Sequence, residues 1–170
     1  MVVSYCKNLT DAILSHSKGW ETIEFVNFQR CTGLTDTGFE SWSFNSLGLP
    51  SLEEVKRPVS NSVSCLQTSA QPSKPLVLFQ TRALHELVIS DCSFLSVIAL
   101  KSIACVSTDL TRLNLSFCCS LNESFASILV ASCVKLQVLD LSFCGCATTD
   151  KSLLVLAQGL GSLLGLSIRG

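Results

Sequence analysis

The sequence predicts an α/β solenoid, in which short parallel strands and helices alternate along a stack of similar repeats. The main observation is a regular spacing of 26 residues between chemically similar positions. Three cysteines have this spacing: Cys92, Cys118 and Cys144. Three leucines share it, and a fourth follows after 27 residues: Leu84, Leu110, Leu136 and Leu163. A fixed period of about 20 to 50 residues is typical of proteins built from stacked repeats.

Each repeat carries the pattern Leu-x-x-Leu-x-Leu-x-x-Cys or a close variant, which predicts one short strand. Side chains alternate between the two faces of a strand, so the leucines of Leu-x-Leu face one side and the intervening residues face the other. The pattern begins at Ile23, Leu84, Leu110 and Leu136, and in truncated form at Leu163. A sixth copy survives only as the tail Cys6-x-x-Leu9-Thr10-Asp11.

A helix is predicted between successive strands, and the last repeat shows its signals most clearly. Thr149 supplies an N-cap hydroxyl and Asp150 a carboxylate in the first helical turn. Leu153 and Ala157 have helical spacing, and Gly159 suits the C-terminal end. Strand, helix and next strand then form a parallel crossover unit. Stacked units of this kind bury their leucines in one continuous core.

The cysteine that ends each strand is predicted to be structural. A small, partly apolar side chain with a weak S–H donor fits the place where the chain turns away from the sheet. These cysteines are Cys6, Cys31, Cys92, Cys118 and Cys144. A metal site is the alternative, because Cys118-Cys119 and Cys144-x-Cys146 could supply thiolates. The Cys-x-x-Cys spacing of structural zinc sites is absent, so we expect no metal and no cofactor.

Charge and composition narrow the classes of partner. The 170 residues include 12 basic and 13 acidic ones, for a formal charge of -1, which does not favour nucleic acid or an anionic membrane. The first residues lack the continuous apolar stretch of a signal peptide, and no apolar run is long enough to span a membrane. We therefore expect reduced cysteines and a location in the cytoplasm, the nucleus or both.

Sequence motifs for catalysis are also missing. The chain has no glycine-rich phosphate loop, no Gly-x-Ser-x-Gly and no His-Glu-x-x-His. Its two histidines are His16 and His85. His85 is predicted on the opposite side of its strand from the repeat cysteines, which disfavours a Cys/His nucleophile pair. We expect that the chain is not an enzyme.

The frame Leu-x-x-Leu-x-Leu-x-x-Cys-x-x-Leu-Thr-Asp resembles the cysteine-containing leucine-rich repeats of F-box proteins, the substrate receptors of SCF-type ubiquitin ligases. The resemblance is carried by residues 31–36, 113–118 and 139–144. It implies a leucine-rich-repeat solenoid, a ribonuclease-inhibitor-like arc with parallel strands on the concave face and helices on the convex face. It also implies substrate recognition for ubiquitin-mediated degradation, with catalysis in other subunits.

The family's F-box, a helical module that binds the ligase adaptor, is not found in this sequence. The adaptor is therefore an expected partner only if an F-box lies outside this chain. The chain opens inside one repeat and closes inside another, which we interpret as a fragment of a longer receptor. The alternatives are a leucine-rich-repeat adaptor or inhibitor unconnected to ubiquitin, and a truncated product without independent function.

The repeats predict three parts of the chain. Residues 1–54 hold a partial repeat and one full repeat, residues 55–86 are an insertion, and residues 87–170 hold about three repeats, the last one truncated. The insertion contains three of the four prolines. Pairing Leu52 with Leu84 places it inside a strand, where a break would cost ladder hydrogen bonds and register. A retained intron and a disordered excursion both explain such a segment.

The residues that alternate with the strand leucines are predicted to line the concave face, where solenoids of this type bind partners. Arg112 is the preferred anchor, because arginine is enriched at interface hot spots. Ordinary solvated positions are the alternative interpretation. A further column, farther along each strand, is expected on the same face: Gln29, Ser90, Ser116, Ser142 and Arg169. The residues predicted to bind a protein substrate are Phe25, Asn27, Glu86, Val88, Arg112, Asn114, Val138 and Asp140.

We expect the backbone amides of Lys56–Lys74 to exchange with deuterium as fast as those of an unstructured peptide. The stretch is rich in serine and proline and lacks acidic residues, a composition that does not support a packed core. Hydrogen-exchange mass spectrometry on the whole chain measures this, with a peptide spanning 136–141 as the protected reference. Slow exchange across 56–74 would contradict the prediction.

Overall fold

The computed structural model describes residues 1–15, 20, 22–46 and 84–170, with the side chains of 44–46 left out. Five parallel strands form one sheet in chain order: β1 (Phe25–Asn27), β2 (Glu86–Val88), β3 (Arg112–Asn114), β4 (Val138–Asp140) and β5 (Gly165–Ser167). The helices of the described residues are α1 (Ala12–Ser15), α2 (Asp36–Ser46), α3 (Val97–Val106), α4 (Phe125–Ser132) and α5 (Asp150–Gly159). None of these helices has the length and apolar character needed to cross a membrane.

The strands pair in the register that the repeat spacing predicts. The central residues of the five strands lie opposite one another: Val26, Leu87, Leu113, Leu139 and Leu166. In β1 to β4 these central side chains are buried, while the residues on either side of them are partly or fully exposed. The α/β class, the parallel sheet and the alternation of the strand residues are thus confirmed.

Helix α5 begins with the N-cap predicted at Thr149, but Gly159 has a different role at its end from the one predicted. The Thr149 hydroxyl accepts a hydrogen bond from the backbone N–H of Ser152 at 3.2 Å, and the Ser152 hydroxyl accepts one from Thr149 at 3.0 Å. Gly159 ends the helix without a left-handed conformation. A Cβ there would overlap Val130 of α4, so glycine is needed for the close packing of the two helices.

The strand-end cysteines join neighbouring repeats through their thiols. Four of them are buried, and each donates to a backbone carbonyl of the preceding repeat, whereas Cys6 is exposed and donates to Ser4 at 3.6 Å. Such S–H bonds are weak individually, but they recur at every junction from β1 to β4. The donor–acceptor distances are 2.8 Å from Cys31 to Val3, 3.4 Å from Cys92 to Phe28, 3.2 Å from Cys118 to Ile89, and 3.0 Å from Cys144 to Leu115.

Aspartates form a second link between repeats, on the helix side. Asp11 accepts hydrogen bonds from the N–H and the hydroxyl of Thr35 in the next repeat, at 2.8 and 2.6 Å. Asp36 accepts the same pair of bonds from Ser96, at 2.8 and 2.6 Å, and a third from the N–H of Ala99 at 3.3 Å. Each carboxylate therefore satisfies donors at the start of the following helix, which would otherwise lack partners.

Aromatic side chains fill the core of the first full repeat. Trp42 packs edge-on against Phe39, with ring centroids 5.9 Å apart, and Phe39 packs similarly against Phe28 at 6.4 Å. Trp20 lies 6.0 Å from Trp42 and completes the cluster. Edge-to-face pairs of this kind add to the stability that burial of the rings provides. Among the described residues, the later repeats bury only one ring, Phe125, and are otherwise packed by aliphatic side chains and cysteines.

The extra length of the chain falls between a helix and a strand. In sequence, 39 residues (47–85) lie between α2 and β2, whereas residues 107–111, 133–137 and 160–164 join the three later helices to the strands that follow them. Leu84 is buried, and Glu86 begins β2. The strand pattern from Leu84 onward is continuous. The rest of the predicted insertion, residues 55–83, lies outside the described residues, and its boundaries stay a prediction.

Replacing Asp36 by alanine is expected to lower the free energy of unfolding by about 1 to 3 kcal/mol, because three hydrogen bonds to the next repeat are lost. Asp150→Ala is the matched control. Asp150 also begins its helix, but among the described residues it bonds no neighbouring repeat. Urea unfolding of both variants separates inter-repeat bonding from the interaction with the helix dipole. Equal losses would show that the inter-repeat bonds contribute nothing.

Candidate functional site

The eight residues predicted to bind a partner lie on one side of the sheet, and we call them together the strand face. They form two rows across β1 to β4, set by the parallel register. The first row is Phe25, Glu86, Arg112 and Val138, and the second is Asn27, Val88, Asn114 and Asp140. All eight are partly or fully exposed. The structure therefore brings together every residue of the predicted set.

A shallow depression of about 340 Å³ lies over β2 to β4. Six of the eight strand-face residues line it, together with Leu87 and Leu113. Val138 is 39% exposed there. Its register partner in β5 is Gly165, which has no side chain to cover it. The depression therefore offers an apolar contact at Val138 beside charged and amide side chains.

One acidic residue of the strand face, Glu86, lies beside an arginine, and the other, Asp140, does not. Arg112 lies 3.8 Å from Glu86, and both side chains are well exposed, so this ion pair contributes little to stability. Asp140 has neutral partners only. Its Oδ1 accepts from the N–H of Ser142 at 2.9 Å, and its Oδ2 accepts from the Asn114 amide at 3.5 Å. Within the described residues, no cation pairs with the Asp140 carboxylate.

Exposed side chains form a column at the ends of the strands, which we call the rim. Every residue of the rim has a left-handed backbone, with φ between 58° and 64°, although none of these residues is glycine. Each directly precedes a repeat cysteine. Phe117 and Phe143 stack with their ring centroids 4.4 Å apart, and both are nearly half exposed. The rim consists of Tyr5, Arg30, Asp91, Phe117 and Phe143.

Side chains of the strand face support the left-handed turns of the rim. A non-glycine residue in this conformation costs about 1 to 2 kcal/mol, which local hydrogen bonds can offset. Asn114 Oδ1 accepts from the N–H of Ser116 at 2.9 Å, just before Phe117. Asp140 bonds Ser142 in the same way, just before Phe143. Asn114 and Asp140 of the strand face therefore stabilise the two turns that carry the stacked phenylalanines.

Sequence reasoning missed the rim, although the signal was present. The residue before each repeat cysteine recurs with the same period, and two consecutive ones are phenylalanine. The sequence alone did not show that the turn is left-handed and projects this residue outward.

The three serines that were expected on the outward face are almost fully covered. Ser90, Ser116 and Ser142 are only 2%, 8% and 6% exposed. The chain has already left the extended conformation at these positions and begun its turn, so strict alternation no longer applies. The Ser116 hydroxyl bonds Asn114 Oδ1 at 2.7 Å, which accounts for a buried polar group there.

The buried repeat cysteines are held as neutral thiols. Burial raises the pKa of Cys92 to about 11 and that of Cys118 to about 12, and it also raises the pKa of Cys31 and Cys144. A thiol that holds its proton is a poor nucleophile and a poor metal ligand. Across residues 1–15, 20, 22–46 and 84–170, no three His, Cys, Asp or Glu side chains are grouped so that they could hold a metal ion.

Solved structures share this fold at low sequence identity. A chain of the yeast Rad7 and Elc1 complex matches with a TM-score of 0.54 and 17% identity, over 89% of this chain and 31% of that chain. A chain of the Chaetomium Mex67:Mtr2 structure matches with a TM-score of 0.51 and 16% identity, over 99% of this chain and 82% of that chain. The protein thus spans about a third of the first matched chain. No family model and no curated protein matches the sequence.

The Cys118 thiol should make a constant contribution to the free energy of unfolding below about pH 9, and that contribution should be lost as the pH approaches 12. The pKa of Cys118 is about 12 in the folded chain, against an ordinary value of 9.0, so the unfolded chain releases its proton first and gains stability as the pH rises. Cys118→Ala should therefore flatten the alkaline slope, whereas Cys119→Ala, at an exposed neighbour, should leave it unchanged. Chemical unfolding at a series of pH values measures both slopes. Identical slopes for the two variants would contradict the prediction.

Proposed function

We propose that this chain is a protein-binding module that contacts its partner through the strand face and has no catalytic activity, metal or cofactor of its own. One observation carries the proposal. Eight residues selected by repeat position alone form a contiguous, partly exposed surface over a depression of about 340 Å³. A surface of mixed polar and apolar residues with an exposed arginine is typical of a non-obligate protein interface.

The more specific proposal is a leucine-rich-repeat arc of the cysteine-containing type, with the strand face on its concave side. Its function would be substrate recognition for an SCF-type ubiquitin ligase, in the cytoplasm, the nucleus or both. The repeat frame with its Leu-Thr-Asp element supports this proposal. So does the fold similarity to a chain from the Rad7 and Elc1 complex. The ligase adaptor would be a partner only through an F-box elsewhere in the parent protein.

A second candidate is a leucine-rich-repeat adaptor or inhibitor that has no connection with ubiquitin. The similar fold in the Mex67:Mtr2 structure favours it, because that chain also belongs to a protein complex of a different name and composition. Both candidates use the same surface. They differ in what happens to the bound protein, which is degraded in the first case and only retained in the second.

Site-specific photo-crosslinking in cells tests the binding surface. A photoreactive phenylalanine at Val138 should capture specific proteins, and the same group at the exposed Leu154 of α5 should not. The paired change Arg112→Glu and Val138→Glu should weaken binding of a captured protein about tenfold or more, as expected at an interface hot spot. The control pair Lys101→Glu and Leu154→Glu makes equivalent changes on exposed helix positions.

The lifetime of the captured proteins separates the two candidates. Blocking cullin activation should lengthen their half-lives if the chain recognises substrates for an SCF-type ligase. Unchanged half-lives, with capture still dependent on the strand face, would favour the adaptor or inhibitor. Equal capture from Val138 and Leu154, or full binding by the strand-face variant, would overturn the proposed function altogether.

A further inference from the structure

The unpaired carboxylate of Asp140 indicates which charge a partner carries. It lines the depression over β2 to β4, and within the part of the chain that the structure describes its two oxygens accept only from the Ser142 N–H and the Asn114 amide. A partly buried carboxylate with only neutral donors gains free energy when a cation approaches it. Asp140 is therefore the point of the depression at which a positive charge is most favourable.

The other charges of the depression lead to the same result. Arg112 is already beside Glu86 at 3.8 Å, so a partner's acidic group would have to compete with that carboxylate. The depression contains two carboxylates and one guanidinium, a net charge of about -1 when all three are ionised. An acidic partner would also be repelled by Asp140. Charge complementarity therefore favours a basic side chain over an acidic one.

Apolar surface lies on both sides of Asp140 along the chain. Val138, two residues before it, is 39% exposed beside Gly165. Phe143, three residues after it, is stacked on Phe117 at the rim, with 48% and 45% of these side chains exposed. Alternate residues of an extended segment lie about 6.6 to 7 Å apart on one side, which is also the spacing of Val138 and Asp140. Val138 and Asp140 thus match two successive same-side residues of an extended chain, and the Phe117–Phe143 pair lies beyond Asp140, past the end of β4.

We propose that the strand face takes an extended segment of the partner protein in which an arginine or lysine lies between two bulky apolar residues, each two positions away. The basic side chain pairs with Asp140. One apolar side chain lies on Val138, and the other lies on the Phe117–Phe143 pair. This inference rests on the proposed function and specifies the chemistry of the partner.

Three fluorescent peptides test this chemistry on the whole 170-residue chain. The first has the sequence Gly-Ser-Leu-Ser-Arg-Ser-Phe-Ser-Gly, and the others have Glu or Gln in place of Arg. Fluorescence polarisation should show the Arg peptide binding about tenfold more tightly than the Glu peptide. The preference should shrink as salt is raised, because screening weakens exposed charge pairs.

A matched pair of variants assigns the preference to one carboxylate. Asp140→Asn keeps an acceptor for the Ser142 N–H, and with it the turn before Phe143, but removes the charge. It should bind the Arg and Gln peptides equally. Asp150→Asn makes the same chemical change at an exposed position of α5 and should behave as the unaltered chain. Urea unfolding of each variant checks that its fold is intact.

Each other outcome has a distinct meaning. Equal binding of the three peptides, or tighter binding of the Glu peptide, would overturn the proposed partner chemistry and leave the binding surface standing. A preference for Arg that survives Asp140→Asn would show that Asp140 is not the determinant. If no peptide binds while cellular capture still depends on Val138, the partner chemistry is wrong. If capture fails as well, the proposed function falls with it.

Discussion

The in-register parallel pairing of the five strands is the constraint on which the other features of this structure depend. Because Val26, Leu87, Leu113 and Leu139 lie opposite one another, every later position of each repeat also meets its equivalent in the next. Each strand has only three residues and would not be stable alone. Stacking supplies both the hydrogen-bond partners of its backbone and the apolar surface that covers its central side chain.

Repetition also explains why weak interactions are effective here. A single S–H bond or a single aspartate at a helix start contributes modestly. When a group recurs at equivalent positions, however, it reaches an equivalent partner each time, as the buried cysteines do at four junctions and the aspartates at two. Cys92, Cys118 and Cys144 bond the preceding repeat at the strand ends, while Asp11 and Asp36 bond the following repeat at the helix starts. Neighbouring repeats are therefore hydrogen-bonded in both layers of the fold, in the strand layer through cysteines and in the helix layer through aspartates.

The same regularity separates the residues that maintain the fold from those free to define a partner. Exchanging a buried strand leucine would disturb two neighbouring repeats, whereas exchanging Arg112 or Val138 would alter only the outer surface. Asn114 and Asp140 do both, because they lie on the strand face and also bond the turns that hold Phe117 and Phe143. These two residues tie the chemistry of the strand face to the geometry of the rim, so the candidate site is stiffer than a set of isolated surface side chains.

Much of the fold could be predicted because its determinants are periodic in the sequence. The spacing of Leu84, Leu110 and Leu136 was sufficient to predict parallel strands and their register, since a strand's side-chain alternation and a repeat's fixed length leave one alignment that buries every leucine. The N-cap at Thr149 was equally predictable, because it depends only on residues within the first helical turn. The two rows of the strand face followed from the same alternation.

The tertiary structure decided where the backbone leaves each strand and which side chains of neighbouring repeats come into contact. Ser116 and Ser142 are covered where the chain turns, and Phe117 and Phe143, the next residue in each turn, are exposed and form a stacked pair. Asp36 looks in sequence like a carboxylate serving its own helix, yet it bonds the next one. Gly159 looks like a helix terminator, yet it makes room for Val130. The sequence by itself determined which residues are equivalent. Only the stacking of repeats decided which residues of neighbouring repeats touch, because those contacts join positions that are 24 or more residues apart in the chain.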